Sequence, residues 1–209
     1  MEQYRGDLWA RLSSTIFHPM IMPSLAVMIL FAIPSYVSFS TPPGVRRLVT
    51  GLVFVNTCIA PFLVILLMKK TGLITDMMLD KRTDRVYPIM VSAFFYLFTY
   101  YLFRQASLPS LLNYFIMGAT LLVLLGFVIT FYWKISLHMM SMGGFTAYLV
   151  VLSFLLGYEM PGLIVGSIIA SGMLGSARLK LNAHKPSQVY VGYLTGMLVM
   201  FTLFYYFRG

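Results

Sequence analysis

Acidic side chains are scarce in this chain: six of its 209 residues are Asp or Glu, against fifteen Lys or Arg. Charged residues make up only 10% of the sequence and hydrophobic residues 59%, with a mean hydropathy of +0.84. Because soluble domains carry roughly a quarter charged residues, this composition excludes that class. Cysteine is almost absent too: Cys58 stands alone, which excludes an internal disulfide and leaves the redox compartment open.

Apolar segments long enough to cross a bilayer recur from near residue 20 to the C-terminus. They predict an all-α fold, a polytopic helical membrane protein with six to seven transmembrane helices, multi-pass in the cell membrane. The predicted crossings are residues 19–39, 46–68, 88–103, 109–133, 136–156, 162–179 and 187–208. Two prolines, Pro23 and Pro34, predict kinks in the first of them.

The chain is interpreted as a single integral membrane domain, with two N-terminal crossings in residues 19–70 and a core rich in polar motifs in 71–192. Residues 1–18 contain dispersed charges and an apolar side. No small-residue cleavage site follows a short apolar core there, so we expect a short interfacial helix instead of a cleaved signal.

The net charge of +9 is distributed over loops beside the apolar segments. This placement predicts a bilayer and an anionic lipid or phosphate as partners, and it disfavours nucleic acid. If all seven segments cross, the loops at 69–87, 134–138 and 178–188 share one face of the membrane. A shared face is what a functional site requires, and its basic excess slightly favours the cytoplasmic side. The sequence leaves the oligomeric state undetermined.

The most polar stretch between two apolar segments runs from residue 175 to 192. It contains Arg178, then five residues, His184, three residues, and Gln188. An arginine can bind a phosphate through two parallel hydrogen bonds, and a nearby histidine can attack or protonate. Upstream, Ser136 and His138 begin another apolar segment on the same predicted face.

These motifs resemble those of the type 2 phosphatidic acid phosphatase superfamily of membrane lipid phosphatases. The family's third motif is Ser-Arg, five residues, His, three residues, Asp; here Ala177 replaces the Ser and Gln188 the Asp. The second motif is Pro-Ser-Gly-His, of which Ser136 and His138 remain. The first motif, Lys, six residues, Arg-Pro, has a loose equivalent in Lys81, Arg82, Arg85 and Pro88.

The resemblance implies hydrolysis of a phosphomonoester or pyrophosphate on a lipid, through a phosphohistidine and with neither metal nor cofactor. His184 is the implied nucleophile, His138 the implied general acid, and Gln188 the group that orients His184. Gln188 can accept a hydrogen bond but carries no charge, in contrast to the family's aspartate. The implied phosphate-binding residues are Arg178, Lys81, Arg85 and Ser136.

Two other interpretations remain open. Asp76, Asp80 and Asp84 recur every four residues, which places them on one face of a helix. Carboxylates with substrate phosphates are the usual ligands of Mg²⁺, so the triplet is also typical of a Mg²⁺-dependent intramembrane prenyl or phosphatidyl transferase. The second alternative is a non-catalytic protein that binds lipid phosphates, which needs Arg178 but not His184.

Overall fold

The computed structural model describes residues 2–74 and 82–206, with side chains described for 8–74 and 85–206. The regular secondary structure in these ranges is helical. The helices are α1 (Glu2–Ile16), α2 (Met22–Ala32), α3 (Tyr36–Ser40), α4 (Pro43–Phe54), α5 (Ala60–Lys70), α6 (Arg82–Gln105), α7 (Ser110–Thr130), α8 (Leu137–Leu156), α9 (Pro161–Lys180) and α10 (Pro186–Tyr206). A π-helical turn over Val55–Ile59 joins α4 to α5.

Six helices are long and apolar enough to cross a membrane, which confirms the predicted all-α polytopic class. They are Pro43–Lys70, Arg85–Gln105, Ser110–Thr130, Leu137–Leu156, Pro161–Lys180 and Pro186–Tyr206. The first of them contains the π-helical turn, which ends two residues before Pro61. Proline lacks the N–H that would continue the regular ladder, and this is a common cause of such a local widening.

The predicted crossing at residues 19–39 is interrupted in the structure. Helix α2 has only 11 residues, about 16 Å at 1.5 Å per residue, whereas the hydrocarbon core is roughly 30 Å thick. Pro34 lies in the break, where it removes a helical donor and disfavours helical geometry in the residue before it. Ser35 then begins α3 through a reciprocal capping box with Ser38.

The chain divides into two compact units. The first joins the N-terminal segment, up to Met22, to everything from Ile135 onward, and the second is Pro23–Lys134. In the second unit α6 packs against α7 and α5, and the Thr120 hydroxyl donates to the Tyr96 carbonyl at 3.3 Å. The predicted motif-rich core, 71–192, contributes to both units.

Glycines allow α8 and α10 of the first unit to approach backbone to backbone. A Cβ added at Gly143 would collide with the Tyr193 carbonyl, and one at Gly196 with the Met140 carbonyl. Inside a bilayer such close approach is a main source of helix association. As a result the first residues of α8 and α10 lie side by side.

Helix α1 belongs to the first unit and packs against α9. Its buried side is small and partly polar, with Ala10, Ser13 and Ser14. Its large apolar side chains are exposed, as expected of a helix that lies in a membrane interface. These exposed side chains are Leu8, Trp9, Leu12 and Ile16.

Candidate active site

The first unit brings together one end of each of three helices. Arg178 is in the last turn of α9, where a basic residue complements the helix dipole. Asn182 adopts a left-handed conformation, with φ of 50°, and the chain turns into the short loop that carries His184. Pro186 opens α10, and the backbone N–H of Ser136 donates to the Gln188 carbonyl at 3.3 Å. The two predicted motifs therefore meet through their backbones.

The hydrogen bonds of Gln188 determine the protonation of His184. The backbone N–H of Lys185 donates to Gln188 Oε1 at 3.0 Å, which identifies that atom as the amide oxygen. His184 Nδ1 lies 3.2 Å from the same oxygen. Because an oxygen without hydrogen can only accept, Nδ1 carries the proton in this contact. In the neutral ring, the lone pair is then on Nε2, the atom that a nucleophilic histidine uses.

His138 is held through its other ring nitrogen. Its Nε2 lies 3.1 Å from the carbonyl oxygen of Ser14 in α1, so Nε2 donates the hydrogen bond. In the neutral ring Nδ1 then holds the lone pair. His138 also interacts electrostatically with Arg178 and His184, which places the three residues of the predicted constellation in one neighbourhood.

Arg178 is half-buried beside α1. Its Nη1 donates to the Ser14 hydroxyl at 3.4 Å, so Ser14 contacts both Arg178 and His138. The neighbouring Lys180 is exposed, and its Nζ lies 5.5 Å from the ring centre of Trp9. Both cations near the end of α9 thus contact α1.

Ser136 is fully buried, at 0% exposure, and occupies the N-cap position of α8. Its hydroxyl makes no capping hydrogen bond, and no group among the described residues pairs with it. An orphaned buried hydroxyl costs about 1 to 3 kcal/mol, which makes it a candidate ligand for an oxygen that enters the site.

His18 is a member of this neighbourhood that the sequence analysis missed. Its ring centroid is 5.1 Å from that of His138, and the two planes meet at 85°. Burial, and to a smaller extent the positive charge of Arg178, lower the pKa of His18 to about 4. One signal was available: the chain has only three histidines, and the other two, His138 and His184, fall in the predicted motifs.

The remaining predicted residues belong to the second unit or fall outside the described residues. Arg85 is buried near the start of α6 in the second unit. Lys81, Asp76 and Asp80 fall outside the described residues, and the described part of Asp84 is its backbone in α6. The phosphate-binding role of Lys81 and Arg85 therefore stays a prediction, as does the Mg²⁺ role of the aspartates. Among the residues that are described, no three His, Cys, Asp or Glu side chains are arranged to hold a metal ion.

Comparison with known proteins adds no assignment: no protein-family model, no curated protein and no solved structure matches this chain.

Proposed function

We propose that this protein is a membrane lipid phosphatase that hydrolyses a phosphomonoester or pyrophosphate on a lipid through a phosphohistidine. The observation that carries the proposal is the contact between His184 Nδ1 and Gln188 Oε1, 3.2 Å long. Because it places the ring hydrogen on Nδ1, the neutral ring has its lone pair on Nε2, and this tautomer supports His184 as the nucleophile. Burial of both side chains keeps this orientation fixed.

In the first step His184 Nε2 attacks the phosphorus atom, and the bond between phosphorus and the leaving oxygen breaks. The leaving oxygen takes a proton from the cationic form of His138, which carries a hydrogen on each ring nitrogen. The Nε2–H stays donated to Ser14, so the proton leaves from Nδ1 and the ring becomes neutral. Arg178 and the Ser136 hydroxyl hold the non-bridging oxygens as negative charge develops. No redox change or cofactor is involved.

In the second step water attacks the phosphohistidine and the P–N bond breaks. His138 Nδ1 accepts a proton from the water, which restores its acid form, and His184 regains its lone pair. Inorganic phosphate and the dephosphorylated lipid are the products. Histidine suits both halves because the same ring nitrogen can give a proton and take one back.

The substrate class follows from where the residues lie. His184 is in the loop between α9 and α10, and both helices are long and apolar enough to cross a membrane. Such a loop is at the membrane–water boundary, where a lipid presents its phosphate while its chains stay in hydrocarbon. We therefore propose phosphatidic acid, phosphatidylglycerol phosphate, another phospholipid phosphate or an isoprenoid diphosphate as the substrate.

The test measures phosphate release by the purified protein from a panel of these lipids, with EDTA present. The variant is His184→Ala, and the matched control is Ser187→Ala, an exposed residue in the first turn of α10. Release that survives EDTA, disappears in His184→Ala and persists in the control supports the proposal. Trapping of an acid-labile phosphorylated protein from the wild type alone supports the phosphohistidine directly.

Two results contradict the proposal and point to the alternatives. Release that requires Mg²⁺ and is unaffected by His184→Ala favours the transferase class and Asp76, Asp80 and Asp84. Binding of lipid phosphate without release under either condition favours a non-catalytic binder, because Gln188 supplies no negative charge to stabilise His184 as a cation.

A further inference from the structure

The third histidine, His18, has no role in the steps above, yet it lies among the residues that perform them. It follows α1 in the first unit, edge to face with His138, and the charge of Arg178 acts on it. The three histidines of the chain and Arg178 therefore form one cluster in a protein that otherwise has few polar side chains. Histidine is not needed to pack an edge-to-face contact, since a phenylalanine ring makes the same one.

A backbone contact assigns the protonation of His18. The Met20 N–H donates to His18 Nδ1 at 3.3 Å, so Nδ1 is the acceptor. The neutral ring consequently carries its hydrogen on Nε2. Within residues 8–74 and 85–206 no group accepts a hydrogen bond from this Nε2–H. The donor is thus available to something that enters the cluster.

The His18 ring stays uncharged at pH values around 7. Burial and the Arg178 guanidinium lower its pKa to about 4, so His18 stays neutral well below pH 7 and keeps its hydrogen on Nε2. A neutral donor can hold a phosphoryl oxygen without adding positive charge beside His138, which must itself bind and release a proton. A lysine or a second arginine at this position would oppose that protonation.

We propose that His18 is a further substrate-binding residue of this site, and that its Nε2–H donates a hydrogen bond to a non-bridging oxygen of the phosphoryl group. The assignment rests on the proposed lipid phosphatase function. It adds a donor from the N-terminal segment to those of Arg178 and Ser136. It also gives the contact between α1 and α9 a functional purpose.

Two variants distinguish the effect of the His18 hydrogen bond from the effect of its ring contact with His138. His18→Phe keeps a ring against His138 and removes the donor, whereas His18→Gln places an amide N–H near the position of Nε2. With EDTA present and the most rapidly hydrolysed lipid of the panel, we expect His18→Phe to lower kcat/KM by about 10- to 100-fold. We expect His18→Gln to recover most of that loss. The pH profile between 6 and 8 should keep its shape in both, because His18 does not titrate there.

Spectroscopy of the wild type tests the same inference without depending on turnover, and a variant is needed only to assign the signals. Protein labelled with ¹⁵N-histidine has three ring systems, and His18→Gln assigns one of them. At pH 7 we expect His18 to show a protonated Nε2 and an unprotonated Nδ1, and its Nε2 signal to shift as millimolar inorganic phosphate is added.

The inference is overturned if phosphate leaves the His18 signals unchanged, or if His18→Phe folds and retains wild-type kcat/KM. These failures differ from failure of the phosphatase proposal, which shows as activity that survives His184→Ala. A phosphate-dependent shift of His18 in a protein that releases no phosphate would support the binding role and reject the reaction.

Discussion

Gln188 occupies the position where the resembling family has an aspartate, and the structure shows what the amide achieves. Its Oε1 accepts from Lys185 N–H and from His184 Nδ1, so the orienting hydrogen bond is kept. The missing part is negative charge, which would stabilise His184 as its ring becomes cationic in the proposed attack. Orientation and charge stabilisation are thus separable at this residue.

Substitutions at Gln188 test that separation. Gln188→Glu keeps both acceptor contacts and adds charge, so we expect kcat to rise about tenfold, within the range of a charge-assisted hydrogen bond. Gln188→Leu removes the acceptor, and we expect kcat to fall by about 10² to 10⁴. Steady-state kinetics with EDTA measure both changes. A leucine variant as active as wild type would contradict the orienting role.

Ser136 offers a prediction in which stability and activity move in opposite directions. Because its buried hydroxyl makes no hydrogen bond to the described residues, Ser136→Ala removes a desolvation cost, and we expect equal or slightly higher thermal stability in detergent. If the hydroxyl binds a phosphoryl oxygen, kcat/KM should fall about tenfold. Ser187→Ala, which alters an exposed serine nearby, is the control for both readings. A loss of stability with unchanged kinetics would assign Ser136 to folding instead.

Local spacing was enough to predict part of the site. Arg178, His184 and Gln188 fall within eleven residues, and their helix ends place them on one side of the first unit. Ser14 and His18 could not be found this way. The hydrogen bond between Ser14 and His138 joins residues that are 124 positions apart. No periodicity in the sequence predicts a contact over that separation.

At the scale of the helices, glycine decides how closely α8 and α10 approach. The sequence has small residues at four-residue spacing in both α9 and α10, a pattern that is typical of close packing between helices. The structure distinguishes between them. A Cβ at Gly196 would collide with backbone, whereas Gly162 and Gly166 have nothing within 4 Å of an added Cβ. The pattern therefore identifies candidates for packing, and only the geometry tells which glycines are used.

This difference supplies a matched pair of variants. Gly196→Ala must push α8 from α10, and overpacking of this kind costs about 1 to 3 kcal/mol. It should also lower activity, because Ser136 and Gln188 lie at the ends of those two helices. Gly166→Ala adds the same methyl group on an exposed part of α9 and should leave both stability and activity near wild type. Thermal unfolding in detergent and phosphate release measure the two effects; equal behaviour of the variants would contradict the packing account.

The break at Pro34 explains why the first predicted crossing differs from the others. Hydropathy over residues 19–39 is high enough for one continuous span, but Pro34 ends the helix locally. The sequence predicted a kink at this proline, and the structure has a full break. Hydropathy is averaged over a window of residues. It therefore does not register that a single proline lacks a backbone hydrogen-bond donor.

At the scale of the whole chain, connectivity determines which helix ends share a side of the membrane. If each of the six long helices crosses, then α6, α8 and α10 begin on one side, because two crossings separate each from the next. The contact of Ser14 with His138 places the end of α1 there too. Since Pro43–Lys70 ends on that side, it begins on the other. We therefore predict that the interrupted segment α2–α3 acts as a seventh crossing.

Cysteine labelling tests this topology. In a Cys58→Ser background, single cysteines at Thr15, Gly44 and Ser187 are reacted with a membrane-impermeant maleimide in vesicles of known orientation. All three positions are exposed. We expect positions 15 and 187 to react from the same side and 44 from the opposite one. Reaction of position 15 together with 44 would show that α2 and α3 stay on one side.

The first unit is made from two segments that are separated in the chain by the second unit, and this has a consequence for biosynthesis. A ribosome completes α1, with Ser14 and His18, before any of the second unit, and it adds His138, Arg178 and His184 only after that unit. Helix α1 therefore has no partner in the first unit until α8, α9 and α10 have been made. A product that stalls within the second unit would have no assembled candidate site, so the proposed activity cannot appear before α8–α10 are inserted.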